Sequence, residues 1–140
     1  EDGEANCYVI KTDHSLWLTE MFSEDDTSSG TEIAHGYKDV ASFEIDYDGG
    51  WPGFVLLDAD NVLYYLDYID GDGNLQLKKI ADNIAAFAFS SVTVENDCGT
   101  HFCIDTSGQL YAFGKNYYGV FGKGRTAGYS DTPVTVAFPN

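Results

Sequence analysis

The chain has 140 residues, 44% of them hydrophobic and 21% charged, with 7 Lys and Arg against 23 Asp and Glu for a formal net charge of −16. That length suits a single domain, and the hydrophobic fraction argues against wholesale disorder. The charge argues against a nucleic-acid binder and against docking on an anionic membrane, both of which need Lys and Arg, and no apolar run is long enough to span a bilayer as a helix.

In chain order, the acidic start Glu1-Asp2-Gly3-Glu4 carries neither an initiator Met nor a secretory leader and reads as the beginning of a processed or excised piece. Cys7 to Trp17 reads as a β-hairpin, an apolar strand running through the polar pair Asp13-His14 into Leu16-Trp17. The Ser- and Asp-rich stretch Phe22 to Gly30 reads as an exposed loop, followed by a short outer strand at Thr31 to Ile33. A turn at Lys38-Asp39 leads into a strand at Val40 to Ile45, and the loop Asp48 to Gly53 carries Trp51. A second hairpin spans Phe54 to Tyr64 around Asp60-Asn61, with an outer strand at Leu75 to Ile80. A turn at Asp82-Asn83, a strand at Ile84 to Phe89, a third hairpin from His101 to Tyr111 around Ser107-Gly108 and an outer strand at Pro133 to Val136 complete the chain. Helical periodicity is absent.

The three hairpins line up at a constant offset of 47 residues without a gap, each with a Leu-aromatic pair: Leu16-Trp17, Leu63-Tyr64 and Leu110-Tyr111. Their first strands are apolar at successive positions, as in Val55-Leu56-Leu57, so both faces must be covered. Sheets stacked face to face around an axis meet that requirement. The expected fold is all-β, with β-propeller-type repeats: about three four-stranded blades, the first incomplete, over residues 1–38, 39–81 and 82–140 of one domain. Three blades cannot close a ring, so the chain reads as part of one or as a subunit that associates through open blade faces.

The third repeat resembles the regulator-of-chromosome-condensation repeat family. Gly108, Gly114, Asn116, Gly119, Gly122 and Gly124, followed by Pro133-Val134, stand where that family has them, with Val120 in place of its usual Gln. The first two repeats keep only the hairpin and have Thr19-Glu20 and Leu66-Asp67 in place of the Gly-x-Asn loop. The resemblance implies a propeller acting as a protein-binding platform, and repeats of this degenerate kind occur in large secreted bacterial proteins, which points to an extracellular or cell-surface location.

No constellation for catalysis emerges. There is no Gly-x-Ser-x-Gly elbow, and in the Gly-rich run Gly122-Lys123 is followed by Gly124 rather than the Ser or Thr of a phosphate loop. Asp70-Gly71-Asp72-Gly73-Asn74 resembles a calcium loop, but Tyr68 and Lys79 stand where Asp and Glu are required, so it reads as a polar hairpin tip. Cys98, His101 and Cys103 lie within six residues, yet His101 and Cys103 fall on apolar strand positions and read as core; a Cys98–Cys103 bridge stays open. His14 reads as a turn residue and His35 as a loop residue without a visible partner. No catalytic, cofactor or metal residue is therefore assigned.

The exposed loop aromatics Trp51, Tyr117 and Tyr118 are the candidate partner-binding residues. Residues 1–72 hold 18 acidic and 2 basic side chains, residues 73–140 five of each, so a basic partner is expected on the first half. The expected function is a non-catalytic repeat module for protein–protein interaction or assembly, with an unidentified protein partner; the alternative is a carbohydrate-binding module using the loop aromatics and carboxylates.

Overall fold

The computed structural model describes residues 6–20, 30–43, 53–89, 100–116, 119, 121, 122, 124 and 128–136. They form eleven strands: β1 (Asn6–Ile10), β2 (Ser15–Glu20), β3 (Thr31–His35), β4 (Tyr37–Phe43), β5 (Gly53–Asp58), β6 (Leu63–Ile69), β7 (Leu75–Ala81), β8 (Ile84–Phe89), β9 (Thr100–Asp105), β10 (Leu110–Lys115) and β11 (Tyr129–Thr135). The protein is all-β, with no α-helix among the described residues. Three antiparallel sheets follow the chain, β1-β2-β3, β4-β5-β6-β7 and β8-β9-β10-β11, each strand beside the next in sequence. The first sheet has three strands and the others four, and no closed ring forms among the described residues.

The apolar runs are explained by stacking. In β5, Val55 and Leu57 face the third sheet and pack with Leu63, Ile84, Cys103 and Phe113. Leu56 between them faces the first sheet and packs with Leu16 and Leu66. All three β5 side chains are at most 1% exposed, because the second sheet is covered on both sides. Beyond the third sheet, Phe121 and Val136 pack on Ala112, against Phe102, Leu110 and Val134. Asn116 holds Phe121 there: its buried Oδ1 accepts the Phe121 N–H at 3.0 Å, and its own N–H donates to the Gly128 carbonyl at 2.9 Å. Gly119 and Gly122, at φ of 73° and 68°, make the tight turns between, as expected of glycines in this run.

The hairpin turns are not the two-residue turns suggested by the sequence. At Lys11, Asp58, Asp70 and Asp105 the N–H bonds to the carbonyl four residues on, at 3.0 Å in every case, and the carbonyl accepts the N–H three residues on, at 2.9–3.2 Å. Only one residue per loop has positive φ: His14 (68°), Asn61 (68°), Gly73 (84°) and Gly108 (90°). A two-residue type I′ turn needs two such residues, so these are three-residue loops, a type I turn closed by one left-handed residue. Carboxylates favour this form. Asp58 Oδ1 takes the Val62 N–H at 2.8 Å, and Asp105 Oδ1 takes those of Ser107 and Gln109, both at 2.9 Å.

The same turns join one sheet to the next. The His14 carbonyl accepts the N–H groups of Gly36 (2.9 Å) and Tyr37 (3.1 Å), and the Gly36 carbonyl accepts the Ala59 N–H (2.8 Å). One repeat later the Asn61 carbonyl accepts the Ile84 N–H and the Asn83 carbonyl the Thr106 N–H, both at 2.8 Å; the bonds accepted by His14 and Asn61 cross between sheets, while those accepted by Gly36 and Asn83 extend the β4–β5 and β8–β9 ladders behind them. Each participant moves by the repeat length of 47. Side chains reinforce the link: Lys38 Nζ donates to Asn61 Oδ1, and His14 Nδ1 lies 3.2 Å from the Tyr37 carbonyl oxygen. Lys38-Asp39 is thus not the turn matching Asp82-Asn83. Gly36 (φ 92°) is the counterpart of Asn83 (φ 60°), and Lys38-Asp39 lies within β4 at a bulge.

The link predicts an asymmetric response to substitution. A Cβ at Gly36 would meet nothing within 4 Å, so Gly36→Ala tests backbone strain without a clash. Its left-handed φ should cost about 1–2 kcal/mol, read as a lower midpoint in urea unfolding, while Asn83→Gly leaves the midpoint essentially unchanged.

Candidate functional site

The hairpin tips and the starts of β4 and β8 meet along one rim, since the links bind them together. On that rim the residue just before each hairpin loop, Lys11, Asp58 or Asp105, is followed six positions later by an aromatic in all three repeats. Asp105 Oδ2 accepts the Tyr111 hydroxyl at 3.0 Å, and Asp58 hydrogen-bonds Tyr64 in the same way. In the first repeat Lys11 and Trp17 occupy these positions, and the Lys11 ammonium sits 3.2 Å over the Trp17 ring centroid. A carboxylate–phenol pair is replaced by a cation on an indole, and the contact between the two positions survives.

The electrostatics follow from these contacts. Hydrogen bonds from Ser107, then from the Gln109 N–H, hold the Asp105 carboxyl below its ordinary range, and Asp105 in turn raises the Tyr111 phenol. Hydrogen bonds from Ser15 lower Asp13. At the Asp70 tip both carboxylate oxygens are occupied: Oδ1 takes the N–H groups of Asp72 and Asn74, and Oδ2 takes Gln76 Nε2 at 2.9 Å. This segment is the hairpin tip between β6 and β7, and its lowered carboxyl serves the turn.

Between the second and third sheets the rim opens into a pocket of about 300 Å³, lined by Asp82, Asn83, Asp105 and Tyr111, with apolar walls from Ala81, Ile84 and Pro133. Asp82 is paired with Lys79 at 2.9 Å, both side chains being more than half exposed. The pocket was not anticipated from sequence. The signal for it is the column of Asp58 and Asp105, each followed six residues later by Tyr.

Of the residues singled out from sequence, Trp51, Tyr117, Tyr118 and Cys98 lie outside the described residues, so the aromatic partner site is not located. Cys103 is a free, buried thiol, and burial pushes it up to about 11. His101, 7% exposed, stacks at 5.2 Å on Phe113; both residues belong to the core, as expected. His14 is the left-handed turn residue. His35 differs from expectation: it ends β3 rather than lying in a loop, and its Nδ1 is 3.5 Å from Glu32 Oε1, because the bulge in β3 brings the two to one side. Among the described residues no group of three or more His, Cys, Asp and Glu could hold a metal ion, and no helix is long and apolar enough to cross a membrane. No family model, curated protein or solved structure matches the chain.

Burial lowers His101 from 6.5 to about 4. The folded state therefore binds this proton less readily than the unfolded state does. The stability owed to neutral His101 is complete above pH 6.5 and falls as the pH drops toward 4, by up to roughly 3 kcal/mol. Urea midpoints at pH 7 and pH 4.5 should differ for the wild type, and less so for His101→Phe; equal wild-type midpoints refute the assignment.

Proposed function

We propose that the chain is a run of β-propeller blades of the regulator-of-chromosome-condensation type that mediates protein–protein interaction or assembly without catalysing a reaction, as part of a secreted or surface-displayed bacterial protein. The observation that carries this reading is the backbone link between sheets: the bond from Tyr37 N–H to the His14 carbonyl recurs at the 47-residue offset as that from Ile84 N–H to the Asn61 carbonyl. A link repeated in this way applies the same displacement to each successive sheet, as blades around an axis require.

The first sheet supports the assembly side of the proposal. Val9 stands at the repeat position of Leu56 and Cys103, which are 0% and 1% exposed because the preceding sheet covers them. Val9 is 39% exposed, and its cross-strand neighbour Trp17 lies beside it under Lys11. This face has the composition of an inter-sheet contact. The carboxylates that catalysis would need are engaged elsewhere, with Asp58, Asp70 and Asp105 accepting loop N–H groups.

Sedimentation velocity from micromolar to near-millimolar concentration tests the proposal. Species heavier than the 15.4 kDa chain are expected, and Val9→Lys should return them to monomer. A single 15.4 kDa species throughout for the wild type refutes assembly through this face.

A further inference from the structure

We propose that the pocket between the second and third sheets receives a lysine or arginine side chain presented by a partner protein. The inference rests on the protein-binding reading above and gives that partner a chemistry. A volume of about 300 Å³ lies at the small end for ligand sites, enough for one long side chain. Ala81 and Pro133 offer apolar surface to a methylene stem, and Asp82 and Asp105 bring carboxylates to its charged head. Among the described residues no cationic side chain lines the pocket. Asp105 Oδ1 is spent on its turn, but Oδ2 takes a single hydrogen bond among the described residues, from Tyr111, which leaves acceptor capacity.

Asp82 is held only by Lys79, an exposed pair of the kind that contributes little stability and exchanges readily. Lys79 thus behaves as the chain's own competitor for an incoming cation. The corresponding place between the first and second sheets is differently built. At the offset of 47, His35 stands for Asp82 and Tyr37 for Ile84, so one carboxylate is lost and a bulkier wall is gained.

The test is a ¹⁵N-amide NMR titration of the whole chain with Nα-acetyl-lysine methylamide, its arginine counterpart, and the lysine compound acetylated on Nε. Saturable shifts centred on Asn83, Ile84 and the 105–111 loop are expected from the two cations and not from the neutral analogue. Asp82→Asn should weaken binding about threefold and Lys79→Ala should strengthen it by a similar factor, as a surface ion pair allows. Equal shifts from the neutral analogue, shifts spread over the Asp70 tip as much as the pocket, or an unchanged affinity in both variants overturn the inference. If the pocket stays empty while the chain still assembles in sedimentation, this inference falls and the proposed function stands. Binding by a strictly monomeric chain keeps the pocket and removes self-assembly.

Discussion

The arrangement of the sheets depends on two backbone carbonyls, those of His14 and Asn61, that point out of their own sheet. Both close hairpin turns with positive φ, which turns the peptide plane toward the neighbouring sheet, while Gly36 and Asn83, also at positive φ, lead into the next strand and extend its own ladder through Ala59 and Thr106. The bonds they accept span residues 22 or 23 apart in sequence. A single hydrogen bond contributes only about 1 kcal/mol net, so the links do not by themselves hold the sheets together. They fix registration. With the rim pinned, Leu56 meets Leu16 on one side while Val55 and Leu57 meet Ile84 and Cys103 on the other, and the burial of these side chains supplies the stability.

This division of labour explains how the chain tolerates so many carboxylates. Asp13, Asp58, Asp70 and Asp105 sit at turns, where their oxygens satisfy loop N–H groups that the strands leave unpaired. Acidity in the first half is in part turn chemistry, and the −16 charge is not in itself evidence of a cation site. The first repeat illustrates the point by exception. Lys11 replaces the turn carboxylate, Asp13 takes over by accepting the Ser15 N–H and hydroxyl, and the released position pairs with Trp17.

The Leu-aromatic pairs made the hairpins legible, because Leu16, Leu63 and Leu110 each turn toward a neighbouring apolar layer and the spacing of those layers is written as 47 residues. The apolar triplets also announced that sheets would be covered on both faces. Turn geometry was harder. Asp60-Asn61 as a pair is compatible with a two- or a three-residue loop, and what decides is the hydrogen bond accepted by Asp58 two residues earlier. Gly36 and Asn83 share only a left-handed backbone conformation, so nothing in their side chains marks them as counterparts. The pocket was out of reach for a different reason. Asp82 and Ile84 lie at the entry to β8 and Asp105 and Tyr111 flank the β9–β10 loop, about 20 residues later, and the β8–β9 pairing of Ile84 with Asp105, continued by the Asn83–Thr106 bond, sets the distance between them.

The two ends of the stack are not equivalent, and this limits the assemblies the chain can form. At the third sheet, Asn116 folds the Gly-rich segment back so that Phe121 and Val136 cover Phe102 and Leu110. At the first sheet, Val9 and Trp17 have no such cover among the described residues, and β1 is the terminal strand of a three-stranded sheet. A head-to-tail filament needs two open, complementary ends, because each copy must use a different surface on either side. With one end closed by its own chain, that route would require Phe121 to be lifted from its site and Asn116 to lose its bond. Contact through the first sheet alone uses the same surface on both partners, so it is isologous and closes at two copies. The Asn116 fold-back is thus more than a local turn: it brings Phe121 over the outer face of the third sheet, so that face is covered by the chain's own residues while the corresponding Val9 face of the first sheet is not, among the described residues.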